Sequence, residues 1–426
     1  MFHQKNIVTA VELGTSKICV LVGEALPEGG ISVIGRGEAS SENAICKGEI
    51  SDMSAALDIL MRVIDEADES SGRQVNNSSL IAVAVTGASI NSYQGIGTVF
   101  VKSENHRVSD DDIDEALQNA QVKPLPFDQT IINTFDSYFM LDGCRRVRNP
   151  SDQVADKFEA FIHVIHGDTN RVENFKSILR DAGFDEEIIP AFSGIASAYG
   201  ILTEEEKENG VLLVDMGAGT TEFIVIYNMG VLFSGVLPVG FDHVANDLSI
   251  GLDLHISTCR KMLKDGSIMQ HIHDRKGFVE LKTVTGNDRK VPLSSIEKII
   301  DLRLREIFQI IHRKIKDHGI INNLGSGGVL SGGAALFPRT SEIFKEVFEF
   351  PVRIGQPFDA SGAVTGIENP RYSTIWGVLK FGEELSRILT TKEKRGVFSR
   401  MLINPIDNVA GRFWQGVSNL KKSIKF

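Results

Sequence analysis

GVLLVDMGAGTTEFIVIYNMGVLFSGVLPVG, running from Gly210 to Gly240, decides the fold. Val211 to Val214 is a short apolar run of strand character, closed by Asp215. Gly217-Ala218-Gly219-Thr220-Thr221 turns the chain, Phe223 to Tyr227 is a second β-rich run, and Val231 to Leu237 is a third. Strand, carboxylate, small-residue turn and strand together present several backbone N–H groups to one anion. Residues without bulky side chains let a phosphate come close to that backbone. The hydroxyls of Thr220 and Thr221 add donors. Asp215 at the strand end suits a Mg²⁺ held through its waters, since that ion prefers carboxylate and phosphate oxygens.

A glycine hairpin beside one Asp is usually only a turn. A second copy changes its weight. Val11-Glu12-Leu13-Gly14-Thr15-Ser16-Lys17-Ile18 repeats the order of strand, acid, apolar residue, glycine, hydroxyls and strand. Two such turns in one chain predict two similar halves facing one ligand. A third small-residue turn lies in GGVLSGGAALF, from Gly327 to Phe337. There an apolar strand leads to Ser331, and Gly332-Gly333-Ala334-Ala335 is expected to open a helix whose start accepts a flat ring or a phosphate.

The bulk numbers bound the answer. The 426 residues suffice for two to four domains, and 42% hydrophobic with 24% charged residues is an ordinary soluble composition. A net charge of −11 argues against nucleic-acid binding. The cysteines at 19, 46, 144 and 259 form no CxxC, so neither a disulfide framework nor a zinc site is expected. No apolar run approaches a membrane span and residues 1–20 do not read as a signal peptide, so a cytosolic location is expected.

Around the turns, residues 51–70 predict a helix capped by Ser51, with Leu57, Leu60, Met61 and Ile64 on one face. Leu80 to Thr86 predicts a buried strand. Residues 88–165 change character. Strands at 96–101, 130–141 and 158–165 surround a helix that Ser109 starts and that runs to about Gln121. Further helices are expected at 169–182 and 193–202 and from Asp242, with a strand from Phe184 to Pro190 between the first two. Another spans Leu293–Asp317, capped by Ser294 or Ser295, and the last runs over 372–389. His271 and His273 read as an exposed polar face rather than a metal pair. Residues 390–405 are charged and mixed, a linker by composition.

The end of the chain, IDNVAGRFWQGVSNLKKSIKF (406–426), has its own pattern. Ile406, Val409, Ala410, Phe413, Trp414, Val417, Leu420 and Ile424 recur at three- and four-residue steps. Arg412, Lys421, Lys422 and Lys425 stand against the single acid Asp407. An apolar stripe with a basic face predicts a helix lying in a membrane interface; docking on a protein groove is the alternative. Each basic residue adds roughly 1 kcal/mol near an anionic leaflet.

VELGTSK, VDMGAGTT and LSGGAA, in this order, resemble the two phosphate motifs and the adenosine motif of the actin-like ATPase superfamily. Within it, the 88–165 insertion and the amphipathic tail resemble the FtsA family of bacterial cell-division proteins. AVELGTSKICVLVGE, ASAYGILTEEEKENGVLLVDMGAGTT and RYSTIWGVLKFGEE extend the likeness along nearly the whole chain. The resemblance implies an α/β, actin-like, two-lobed, ribonuclease H-like duplicated fold. A small α+β subdomain is inserted in it, and an amphipathic helix ends it. The first lobe would take 1–87, 166–193 and 358–389, and the inserted subdomain 88–165. The second lobe would have its core in 194–243 and 319–357 and an outer subdomain in 244–318, followed by the linker 390–405 and the membrane helix 406–426.

The same resemblance implies ATP with Mg²⁺ between the lobes, hydrolysed slowly or not at all. It implies a peripheral adaptor on the inner face of the cytoplasmic membrane at the division site. Such an adaptor polymerises into actin-like protofilaments, binds the C-terminal tail of the tubulin-like protein FtsZ, and recruits later division proteins. Carried over by position, Glu12, Gly14, Thr15, Ser16 and Lys17 meet the phosphates from one lobe. Asp215, Gly217, Gly219, Thr220 and Thr221 meet them from the other. Gly332, Gly333 and Ala334, with Arg260 and Lys261, lie by the adenosine, and Glu12 and Asp215 hold Mg²⁺ through water. Arg303 and Glu306 match the FtsZ-tail surface. Phe413, Trp414, Val417, Leu420, Lys421, Lys422 and Ile424 meet the membrane. No residue is assigned to catalysis.

Three positions depart from the superfamily pattern. Glu12 replaces the usual Asp, and its extra methylene moves the carboxylate by about an ångström, enough to cost roughly a hundredfold if it positions a reacting water. Ala218 replaces a glycine, which requires negative φ there. The acid-x-x-basic helix pair for adenosine has no clear counterpart around 256–264. Competing readings are a superfamily kinase, which lacks a catalytic carboxylate pocket here, and the actin-like scaffold of type IV pilus assembly, for which a basic tail is not expected. A chaperone would need a peptide-binding domain that the length leaves no room for.

Overall fold

The computed structural model describes residues 7–27, 29–264 and 277–390. The tail helix, the linker and the pair His271 and His273 lie outside the described residues. Two sheets carry the fold. The first has the order β11-β6-β1-β2-β3-β19, built from Ile188–Phe192, Leu80–Val85, Ile7–Leu13, Lys17–Ala25, Ile31–Ser40 and Ser361–Gly362. The second has the order β14-β13-β12-β17-β18, built from Gly230–Leu237, Thr221–Tyr227, Val211–Met216, Gly328–Ser331 and Val352–Ile354. In each, an antiparallel three-stranded meander is extended by parallel strands. β1 pairs antiparallel with β2 and parallel with β6, as β12 pairs antiparallel with β13 and parallel with β17. The two turns singled out in the sequence join β1 to β2 and β12 to β13, so they occupy equivalent corners of duplicated sheets. This is the actin-like α/β architecture that the resemblance implied.

The duplication follows from the sequence pattern. Every residue of β6 and β12 is buried, as expected of strands covered on both faces. A third sheet, β7-β10-β8-β9, is formed by Asn91–Phe100, Lys157–Asp168, Gln129–Leu141 and Arg145–Val147. The helix Asp110–Gln121 packs against it, opened by a capping box between Ser109 and Asp112. Chain order places this unit between β6 and the helix Thr169–Asp181, yet it also docks on β14. Ser92 and Gln94 donate to the Ser234 and Leu232 carbonyls at 2.9 and 3.1 Å. Two small hairpins complete the strands, β4 with β5 (Ile45–Cys46, Glu49–Ile50) and β15 with β16 (Phe278–Lys282, Asp288–Pro292).

Several local expectations are corrected. The helix Met53–Ser71 is capped by Asp52, whose side chain accepts from Ala55 N; Ser51 instead donates to the Asn43 and Ala44 carbonyls. Its inner face is Ala56, Ile59, Leu60, Val63, Ile64 and Ala67, which leaves Met61 50% exposed. The helix Leu293–Asp317 follows directly from β16 with Pro292 at its cap position, so neither Ser294 nor Ser295 caps it. The strand expected over 184–190 is Ile188–Phe192, because Asp185, Glu186 and Glu187 stay exposed in the loop. Pro190 is tolerated there because β11 is an edge strand.

One helix crossing sets the geometry beneath the cleft. Ser193–Ile201 meets the helix Ser373–Thr390 at Ala196, Gly200 and Gly377. A Cβ on Gly377 would overlap the Ala196 carbonyl. This backbone approach brings the hydroxyls of Ser197 and Thr374 to 3.0 Å from each other, under the end of β12.

Candidate functional site

The turns after β1 and β12 close with the same hydrogen bond. Gly14 N donates to Lys17 O at 2.8 Å, and Gly217 N donates to Thr220 O at 2.9 Å. Both turns line one cleft of about 680 Å³ between the sheets. They meet directly on one side, where a Cβ on Gly219 would overlap Thr15 Oγ1 and approach Lys47 Cα at 2.9 Å. The β4–β5 hairpin fills the space behind them. Lys47 and Gly48 turn it with φ of 50° and 75°, and Gly48 N donates to Thr15 Oγ1 at 3.1 Å. Neither Gly217, Ala218 nor Gly219 has positive φ, so Ala218 sits without strain. Close approach, not backbone handedness, requires glycine at 219.

Beside the two turns stand three acids and Lys17, while Asp242, Arg260, Lys264 and Arg371 line the rest of the cleft. Lys17 is 5% exposed and ion-paired with Glu12. Burial works against the Lys17 charge, yet the Glu12 carboxylate beside it carries its pKa above the ordinary lysine value. Asp215, also 5% exposed, accepts from the Ser197 hydroxyl and from Thr374 Oγ1, the latter at 3.2 Å. Burial pushes its carboxyl up to about 6, with the hydroxyl donors opposing and Glu12 reinforcing the shift. Glu222, directly across from Asp215 in the β12–β13 register, is pushed up to about 7 by burial and by Asp215. Thr86, just beyond β6, donates its hydroxyl to Glu222. That bond joins the two lobes. Among the described residues no three His, Cys, Asp or Glu side chains are placed to hold a metal ion directly.

The far end of the cleft is apolar. Phe241 and Phe337, with ring centroids 5.4 Å apart, line it together with Leu263 and Ala245. Gly332 has φ of 82°, and a Cβ there would overlap both Asp215 and the Met216 carbonyl. Gly333 faces open space. The expected helix at this point is a single 3₁₀ turn, Gly333–Leu336, and the α-helix begins only at Pro338. Pro338 suits a first helical position, where its missing N–H is not needed.

The cleft brings together Glu12, Gly14, Thr15, Ser16, Lys17, Asp215, Gly217, Gly219, Thr220, Arg260, Gly332, Gly333 and Ala334. Thr221 and Lys261 are not in it. Thr221 is buried on the other side of β13, where its hydroxyl donates to Val239 O at 2.7 Å. Lys261 is exposed on the helix Ile256–Lys264, whose cleft-facing basic residues are Arg260 and Lys264. Arg260 pairs through two nitrogens with Asp242, at 2.9 and 3.2 Å. Arg303 lies elsewhere, on the outer face, gripping Asp247 at 2.6 and 3.0 Å and pairing with Glu306. The hydrogen bonds that Arg303 donates to Asp247 hold its pKa above the ordinary arginine value. The residues expected to meet the membrane, from Phe413 to Ile424, lie outside the described residues. Sequence reading passed over Glu222, Thr86, Ser193 and Gly48. Glu222 follows the second turn within the quoted stretch, and Thr86 ends a buried parallel strand, a position that commonly faces a ligand crevice.

Two family models match the chain, "Cell division protein FtsA" over residues 212–377 and "SHS2 domain inserted in FTSA" over 87–166. Cell division protein FtsA of Borreliella burgdorferi is 28% identical over 395 residues, covering 91% of this chain and 94% of the relative. That of Pseudomonas aeruginosa is 28% identical over 379 residues, covering 88% and 89%. The chain belongs to the FtsA family. The FtsA of Escherichia coli K12 is 27% identical over 390 residues, covering 89% of this chain and 91% of that one. Solved structures share the fold more widely than FtsA itself. A PilM–PilN type IV pilus biogenesis complex aligns with TM-score 0.57 at 12% identity, over 88% of this chain and 98% of that one. MreB5 of Spiroplasma citri bound to AMPPNP aligns with TM-score 0.53 at 13% identity, over 90% and 98%. The fold alone does not separate a pilus scaffold from FtsA; the family models, one on the insertion and one on the second lobe, favour FtsA. Among the described residues, no helix is long and apolar enough to cross a membrane.

Proposed function

We propose that this FtsA-family chain is a peripheral membrane adaptor of cell division whose cleft clamps ATP and Mg²⁺ between its lobes. The observation that carries the reading is the pair of equivalent turns, on equivalent corners of duplicated sheets, lining one cleft. Backbone donors from both turns and Lys17 would hold the phosphates. Glu12 and Asp215 would hold Mg²⁺ through its waters. The Gly332–Ala334 turn, with Phe241 and Phe337, would take the nucleoside. Arg260 and Lys264 would stand at its edge. That MreB5 binds AMPPNP on the same fold supports this reading. The bound ion would neutralise phosphate charge and bridge the two halves. Closure of the lobes would set competence for protofilament assembly.

The outer helices would receive the C-terminal tail of FtsZ at Arg303 and Glu306. The 406–426 helix would tether the assembly to the inner face of the cytoplasmic membrane at the division site, where later division proteins join. The deciding experiment is an ATP titration with and without Mg²⁺, followed by phosphate release. Saturable binding that weakens on chelation is expected; no binding at millimolar ATP would remove the clamp. Two further measurements check the surfaces. Arg303→Glu should weaken an FtsZ tail peptide, and a 1–405 truncation should stop pelleting on anionic vesicles.

A further inference from the structure

Glu222 differs from the other two acids beside the turns. Glu12 is tied to Lys17, and Asp215 receives two hydroxyls. Glu222 is 5% exposed, sits on β13, and receives the hydroxyl of Thr86 from the opposite lobe as well as that of its neighbour Thr220. It also packs on the start of the helix Ser193–Ile201, since a Cβ on Gly194 would lie 3.1 Å from Glu222 Cβ. The residue before that glycine, Ser193, lines the same cleft and is 6% exposed. Its hydroxyl has no hydrogen-bond partner among the described residues. A buried hydroxyl left so is costly, and an ordered water removes that cost. An oriented carboxylate and an unfilled hydroxyl thus flank the space between the two anion turns. The proposed contacts to phosphate and Mg²⁺ use neither.

We propose that Glu222 is the catalytic base of a slow nucleoside-triphosphatase, holding with Ser193 the water that attacks the terminal phosphate. This rests on the reading of the cleft as a nucleotide site. The water oxygen forms a bond to the terminal phosphorus as the bond from that phosphorus to the bridging oxygen breaks. The bridging oxygen keeps the electron pair and leaves on the diphosphate. The water's proton passes to the Glu222 carboxylate and from there to solvent. Thr86 aims the carboxylate from the other lobe, so the base is in place only while the lobes are closed. A chain whose lobes stay apart would keep its triphosphate.

The test uses the full chain with Mg²⁺-ATP, measuring affinity by titration and hydrolysis by single-turnover phosphate release. Glu222→Gln, nearly the same in shape, is expected to bind ATP within about threefold of the parent and to release phosphate at least ~100-fold more slowly. Thr86→Val is expected to slow release by about tenfold at unchanged affinity, because it removes the hold from the opposite lobe and leaves the carboxylate to Thr220 alone. Release at the parental rate in Glu222→Gln overturns the proposal. So does a parent chain that binds ATP and releases none, which leaves the clamp reading standing. A parent chain that does not bind ATP overturns both. Should Glu222→Gln not fold, as judged by its melting curve, Thr86→Val decides alone: an unchanged release rate overturns the assignment.

Discussion

Lys17 and Glu12 sit at the mouth of the first turn with 6% and 16% of their side chains exposed. Two charges so placed stabilise each other but repay little beyond the cost of removing both from water. Taking away one partner is different. Glu12→Gln leaves a buried cation facing a neutral amide, and should destabilise the ATP-free chain by about 3 kcal/mol in denaturant titration. Glu12→Gln with Lys17→Met should recover most of that loss while failing to bind ATP, since the phosphate cation is gone. Asp215 gives a pH signature. Its carboxyl rises from 3.8 to about 6 on folding, chiefly through burial, with Glu12 and Lys17 beside it and Glu222 across the strand pair. The folded chain then binds more protons than the unfolded chain between these values, so stability from this group is present below pH 4 and lost as pH rises to 6. Denaturation midpoints of Asp215→Asn and the parent, compared from pH 4 to 7, should diverge across that window in favour of the variant. Glu12 and Asp215 were legible as site residues because their turns repeat. Glu222 was not, because a strand acid next to a turn is ordinarily solvated, and only its register with Asp215 shows it buried.

At the scale of elements, the short motifs read well and their supports did not. The turn after β12 could be named from GAGTT, yet what fixes Asp215 is a crossing of two helices far apart in the chain. SGIASAYGI announces a close-packed helix by its small residues; nothing local says that Gly377 is the partner. Capping shows the same limit. Ser51 and Asp52 are both good caps, and the choice between them rests on the Asn43 and Ala44 carbonyls, which capture the serine hydroxyl. The crossing is testable because it has no slack. Gly377→Ala must push the Ala196 backbone away and should cost about 1–3 kcal/mol in denaturant titration. Because Ser197 and Thr374 ride on the same two helices, ATP affinity should fall as well. A variant that loses stability but keeps parental affinity would show that Asp215 does not depend on the crossing.

For the whole molecule, the duplication of the sheets was foreseeable from the duplicated turn, whereas the side on which the insertion docks was not. Its contacts run through Ser92 and Gln94 to carbonyls of β14, and backbone acceptors leave no trace in sequence. The insertion is therefore covalently part of one lobe and hydrogen-bonded to the other. The proposed closure would act through the places where the halves touch, and Gly219 against Thr15 and Lys47 is the one at which the two turns meet. A side chain at 219 would prop the turns apart without disturbing either sheet. For a ligand that binds only the closed form, ATP at a hundred times its dissociation constant stabilises by about 2.7 kcal/mol. The parent chain should show a denaturation shift of that size with Mg²⁺-ATP, and chelation should reduce it. Gly219→Val should unfold near the parental midpoint without ATP and shift by less than about 0.5 kcal/mol with it. Were the variant to keep the full shift, the two turns would not share one ligand, and the clamp would have to be sought on a single lobe.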